Sequence, residues 1–189
     1  MTNDNIERCL WPEDDKLMLA YHDEEWGVPT RDDLTLFEFL ALEAAQAGLS
    51  WHTVLHKRAA FNNAFEGFIP EQVAAYGPSD VERILQDPGV IRNRLKLQSI
   101  ITNAQHYLEV QQEFSSFADY LWGFFGGDIL PRPAKLTDDM IPTTTKESDA
   151  LSVDLKKRGF KFAGSTICYA YMQSAGIVND HITGCFRAP

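Results

Sequence analysis

Apolar residues recur along most of the chain at spacings of three and four, the period of helices with one buried face. From Asp33 to Ala47 the stripe is Leu36, Leu40 and Ala47, and from Ser50 to Phe65 it is Val54, Leu55, Phe61 and Phe65. Gly67 to Pro70 breaks the second pattern. Ser79 with Glu82 reads as a capping box opening a short helix. Ile91 to Gln111 carries Leu97, Ile101, Ala104 and Leu108, and Phe117 to Phe125 is an aromatic helix ended by Gly126 and Gly127. Ser148 to Arg158 predicts a helix with Ser148 as N-cap and Gly159 as stop. Gly164 or Ser165 opens a last helix that runs to Gly176. Between these, Asp128 to Thr145 holds three prolines with several Thr and Asp, and it is the strongest linker candidate. No period-2 strand series and no internal repeat appears. The pattern predicts an all-α fold.

Composition narrows the setting. The 189 residues suit one domain, or two lobes sharing a core. With 44% hydrophobic and 12% aromatic residues the chain has enough apolar surface to fold. Lys plus Arg total 17 against 27 Asp plus Glu, so the net charge is −10. That balance disfavours broad nucleic-acid binding unless cations cluster locally. Three cysteines, Cys9, Cys168 and Cys185, do not make a disulfide scaffold. The N-terminus lacks a basic region followed by an apolar one, and no apolar run is long enough to cross a bilayer. A cytoplasmic protein with no membrane partner is expected.

Four constellations offer chemistry. Cys9 and His22 lie near one end, and His181 and Cys185 near the other as H-x-x-x-C, which one helical turn would bring to one face. Two thiolates and two imidazoles suit structural zinc, which would staple the ends and close a loop of well over ~100 residues at only logarithmic entropic cost. The plainer reading is a surface thiol and a frayed tail. Glu43 falls on the stripe of Leu36, Leu40 and Ala47, where a carboxylate is costly unless paired and often serves a site. The alternative is a stripe-edge Glu reaching water. Tyr21, Trp26 and Trp51 near it are core packing, or a slot for a flat cationic ligand with cation–π attraction of about 0.5–2 kcal/mol. Lys156, Lys157, Arg158 and Lys161 surround the turn Gly159–Gly164, where a helix N-terminus and basic side chains together suit phosphate. The alternative there is a solvated αα-hairpin. Arg92, Arg94 and Lys96 form a second cationic patch.

These sets occur together with ERCLW at Glu7–Trp11, YHDEEWGVP at Tyr21–Pro29, LEAAQAGLSW at Leu42–Trp51, IRNRLK at Ile91–Lys96, KKRGFKFAGSTICY at Lys156–Tyr169 and VNDH at Val178–His181. In these six stretches the chain resembles the 3-methyladenine DNA glycosylase I family of bacteria, over nearly everything from Glu7 to Cys185. The resemblance implies a helix-hairpin-helix glycosylase fold, a single domain over 1–189 of two helical lobes with the pocket between them. It implies one structural zinc on Cys9, His22, His181 and Cys185, with Cys168 a buried spare thiol. It places the base-contacting and catalytic set on Glu43, Tyr21 and Trp51, with Trp11, Gln46, Gly48 and Leu49 also binding substrate. The last three belong to the segment that fills the gap left by an extruded nucleotide. Gly159, Lys161, Gly164, Ser165 and Thr166 would grip the DNA backbone.

The resemblance further implies a monomeric enzyme that acts on alkylated double-stranded DNA and releases free 3-methyladenine. Three departures matter. Phe162 stands where related hairpins often carry a first glycine. Asn179 stands where broader relatives carry a catalytic Asp, and Thr166 where bifunctional ones carry a nucleophilic Lys, so Schiff-base chemistry and strand cleavage are not expected. Two other classes remain open: a module that binds alkylated DNA without excision, and a metal hydrolase using Asp180 beside His181.

Overall fold

The computed structural model describes residues 6–189; the first five positions of the expected 1–189 domain lie outside the described residues. The described chain is all-helical, as the periodicity predicts. In order, the α-helices are α1 (Lys16–Glu24), α2 (Asp33–Gln46), α3 (Trp51–Ala64), α4 (Pro70–Ala74), α5 (Pro78–Leu85), α6 (Arg94–Phe114), α7 (Phe117–Phe124), α8 (Lys146–Lys157) and α9 (Ser165–Ser174). Helix α1 has no strong apolar stripe. It starts because the Asp15 carboxylate accepts from the amides of Leu17 and Met18.

The long α6 is the central beam, with α2, α4, α5 and α7 packed against it, while α9 lies between α8 and α2. Tyr107 of α6 stacks on Phe117 with ring centres 4.0 Å apart and meets Phe37 of α2 at 5.0 Å. Each such buried aromatic contributes roughly 1.5–3 kcal/mol. Asp33 ties two helix starts together. Its carboxylate accepts from the amides of Phe117 and Ala118, and its carbonyl from the Tyr107 hydroxyl.

Several helix starts differ from expectation. Pro78 opens α5 and Asp80 reaches back to the Gly77 amide, so Ser79 is not its cap. Helix α8 begins at Lys146 because Thr145 and Ser148 exchange side-chain-to-amide bonds, which places Ser148 inside the first turn. The stretch from Asp128 to Thr145 is no free linker. The Leu130 amide donates to the Ile177 carbonyl, Leu136 and Thr183 pair through both amides, and Arg132 donates to the carbonyls of Asn179 and His181. The strap therefore pins the C-terminal segment. That segment is a series of turns, so His181 and Cys185 do not share a helical face. Gly176 lets residues 28–29 cross close above α9; a Cβ there would lie 2.3 Å from their backbone.

Candidate functional site

Helices α1, α2, α3 and α9 enclose a cavity of about 440 Å³. Its floor is Glu43, 2% exposed, which settles the open choice between a buried carboxylate and a stripe-edge Glu reaching water in favour of burial. The Ser174 hydroxyl donates to Glu43 Oε1 at 2.6 Å, and the Tyr21 hydroxyl lies 2.9 Å from Ser174 Oγ. With Glu43 ionised, the one Ser174 proton faces Glu43 Oε1 and, at 3.1 Å, the Ala170 carbonyl, so Tyr21 is the donor in that second bond and the order runs Tyr21 to Ser174 to Glu43. Burial pushes the Glu43 carboxyl up to about 7, against the smaller opposing pull of Ser174. Burial, then the neighbouring Glu43 charge, holds the Tyr21 hydroxyl well above its usual range, so it stays a neutral donor.

Trp51 and Tyr21 form one wall with ring centres 5.0 Å apart, and Trp11 meets Tyr21 edge-on at 6.3 Å. Three buried polar side-chain atoms lack a partner among the described residues: Glu43 Oε2, Trp11 Nε1 and Trp51 Nε1. All three belong to residues lining this cavity. An acceptor and two donors are thus left for a planar molecule with both kinds of edge. Ser174 and Met18 are pocket neighbours the sequence reading missed. Ser174 lies three residues beyond buried Tyr171 on α9, which marks it as a buried hydroxyl but not as the link between two distant helices.

Gln46 lines the cavity, and the chain then leaves α2 through Gly48 at φ +77° and Leu49, 40% exposed. This protruding turn is held from below by Lys96, buried rather than part of a surface patch. Its ammonium donates to the carbonyls of Ala45 and Ala47 at 2.8 and 2.7 Å, the favourable place for a cation at a helix C-terminus. Arg94 pairs with Glu82, leaving Arg92 as the exposed remainder of that patch.

The turn between α8 and α9 keeps Lys156, Lys157 and Lys161 exposed. Arg158 is drawn off by Glu113 and Asp154 at 2.7 and 2.8 Å. Gly159 has φ +100°, and a Cβ there would strike the His106 ring at 2.4 Å. Asn103 clamps Lys161 through both its amide and its carbonyl. Phe162 adopts φ +52°, the left-handed backbone that glycine would take without strain. Gly164 caps α9 with no side-chain bond, Ser165 bonds Ser148 at 2.8 Å, and Thr166 is exposed.

At the chain ends, Cys9, His22 and Cys185 are buried with donor atoms within 4.8 Å of one another. His181 stands beside this trio. Its ring lies 4.7 Å from that of His22 and its Nε2 faces the His22 carbonyl at 3.4 Å. Asp23 and Asn179 hold the Nδ1 atoms of His22 and His181 at 2.8 and 2.9 Å, which leaves both Nε2 atoms for other partners. Burial lowers both imidazoles, His181 to about 4, so they are neutral at physiological pH. Burial raises the Cys9 thiol to about 12. Cys168 is buried elsewhere, its thiol also raised to about 12 by desolvation. Asp180, the hydrolase candidate, has Oδ2 occupied by the Tyr169 hydroxyl and the Gln173 amide.

The helical fold carries an aromatic, carboxylate-floored cavity and a cationic hairpin, and comparison with known proteins gives this arrangement a family. A family model described as methyladenine glycosylase matches residues 11–188, and the chain belongs to that family. It is 52% identical to DNA-3-methyladenine glycosylase 1 of Escherichia coli K12, over 97% of this chain and 98% of that one. It is 43% identical to DNA-3-methyladenine glycosylase of Haemophilus influenzae, over 94% and 96%. A crystal structure of 3-methyladenine DNA glycosylase I superposes with a TM-score of 0.92 at 53% identity, covering 97% of this chain and all of the other. A variant of such an enzyme in complex with 3-methyladenine superposes at 0.91 with 36% identity, covering 96% and 97%.

Proposed function

We propose that this chain is a monofunctional DNA glycosylase that hydrolyses the N-glycosidic bond of N3-methyladenine in alkylated double-stranded DNA. The carrying observation is the cavity in which Glu43 Oε2, Trp11 Nε1 and Trp51 Nε1 are buried and unpartnered. A purine presents both amine donors and ring-nitrogen acceptors, so it matches that set. The glycosidic bond is hidden in a duplex, so the damaged nucleotide must be flipped out, and Leu49 on its protruding turn fills the vacated stack with Gln46 and Gly48 beside it. Glu43 accepts from the base and its carboxylate form stabilises the cation. Tyr21, through Ser174, orients Glu43, and Trp51 with Trp11 stacks and frames the base at about 1–3 kcal/mol per stacked base. N3-methyladenine is already cationic. When its bond to the sugar breaks, the electron pair goes to the base, which leaves neutral; water adds to the sugar carbon and a proton goes to solvent. No strong general acid is needed, in keeping with Asn179, and Thr166 offers no amine for strand cleavage.

Gly159 to Gly164 with Lys161, Ser165 and Thr166 acts as the helix-hairpin-helix element on the DNA backbone, supported by the uncapped start of α9. Zinc fits the donor set at the chain ends. Cys9, His22, His181 and Cys185 would hold it, and there it supplies a cross-link, since four protein ligands leave no open position. The enzyme works as a monomer in the bacterial cytoplasm, one domain of two helical lobes about the pocket. The test is release of free bases from methylated duplex DNA, resolved by chromatography. The expected product is 3-methyladenine without 7-methylguanine; no release by folded protein moves the reading to a lesion-binding module.

A further inference from the structure

The pocket rim carries a second cluster that the reaction does not use. Helix α3 places His52 and His56 four residues apart on one face, with ring centres 4.3 Å apart. Both Nε2 atoms converge on one oxygen: Asp15 Oδ2 lies 2.8 Å from that of His56 and 3.5 Å from that of His52. The other carboxylate oxygen, Oδ1, is taken by the amides of Leu17 and Met18 at 3.0 and 2.9 Å. The helix start thus fixes the Asp15 side chain and leaves Oδ2 directed at the imidazoles. The three donor atoms lie within 4.8 Å of one another. The imidazoles are 57% and 40% exposed, so ions reach them from solvent.

We infer that Asp15, His52 and His56 form a surface site for a divalent transition-metal ion. Two imidazoles and one carboxylate oxygen select borderline ions such as Ni2+, Cu2+ or Zn2+ over Mg2+ and Ca2+, which take oxygen donors. Three protein donors on one side leave further coordination positions to solvent. The site shares no residue with the Cys9, His22 and Cys185 cluster and contains no thiol, so Ni2+ is a fitting probe. It joins the start of α1 to α3, and because His52 also lines the cavity, a bound ion places positive charge on the rim of a chain whose net charge is −10.

The test counts nickel. Full-length wild type, His56→Gln and His52→Gln are dialysed against the same micromolar NiCl2 at pH 8, and bound Ni2+ per chain is measured by mass spectrometry. Both replaced side chains are exposed, and circular dichroism verifies that the variants fold. Wild type is expected to retain one more Ni2+ per chain than either variant. The difference is independent of any ion on the buried cysteines, which all three proteins share. Equal nickel contents in wild type and variants overturn the proposal.

Discussion

At the scale of the residue, Glu43 sets the strongest constraint. Its native carboxyl titrates near 7 and the usual value is 4.5, so the folded state binds the proton more tightly than the unfolded one between those values. Stability from this group is therefore full below about pH 4.5, falls as pH rises towards 7, and stays at its reduced level above. The loss is of order 3 kcal/mol. Glu43→Gln removes it: the variant should be more stable than wild type at pH 8 by up to about 3 kcal/mol, with the advantage shrinking towards pH 5. Urea unfolding at the two pH values measures this. The same substitution should weaken binding of free 3-methyladenine at least about tenfold, the scale of one lost charge-assisted hydrogen bond; unchanged affinity contradicts the role given to Glu43. The sequence shows that this carboxylate shares an apolar stripe. It does not show Ser174, which comes from a helix 131 positions away and decides which oxygen stays unpartnered.

At the scale of the element, hydrophobic period located most helix bodies, and the errors fall at their ends. Ser79 and Ser148 look like N-caps, but Gly77 before Pro78 and Thr145 before Lys146 take those places, because cap choice depends on local side-chain competition that periodicity does not encode. Lys96 is a sharper case. In sequence it belongs to a cationic patch, and in space it closes the C-terminus of α2 beneath the turn that carries Leu49. Lys96→Met keeps the apolar stem and removes both bonds to Ala45 and Ala47. The variant should lose about 1–3 kcal/mol of stability. Amide hydrogen exchange should speed up at residues 48–50, and exchange equal to wild type there contradicts the assignment.

At the scale of the whole molecule, the segments around Cys9 and Cys185 meet. Cys9 and Cys185 are brought to His22 from either end, and the strap at 128–145 holds the C-terminal turns in place. If zinc closes this junction, a chelator should lower the melting temperature of wild type. An ion present at a thousandfold excess over its Kd stabilises by about 4 kcal/mol. For a chain of this size that corresponds to roughly 2–4 °C per kcal/mol. His22→Ala should melt lower and lose most of the response to the chelator, keeping at most what an ion on Asp15, His52 and His56 contributes; equal sensitivity of both proteins would place the stabilising metal away from His22.

What the sequence by itself determined is what depends on neighbours along the chain. The all-helical class, the place of Glu43 on an apolar stripe and the basic character of the 156–161 turn follow from period and local charge, and the family resemblance follows from six ordered stretches. Tertiary structure decided what depends on partners far apart in the chain. It alone showed that Ser174 links Tyr21 to Glu43, that Lys96 is a buried cap, that Arg158 is held by Glu113, and that Asp15 meets His52 and His56. The physical reason is the range of the forces that specify each feature. A helical stripe is set by contacts three and four residues apart, whereas the protonation, partner and accessibility of a side chain are set by whatever the fold packs against it.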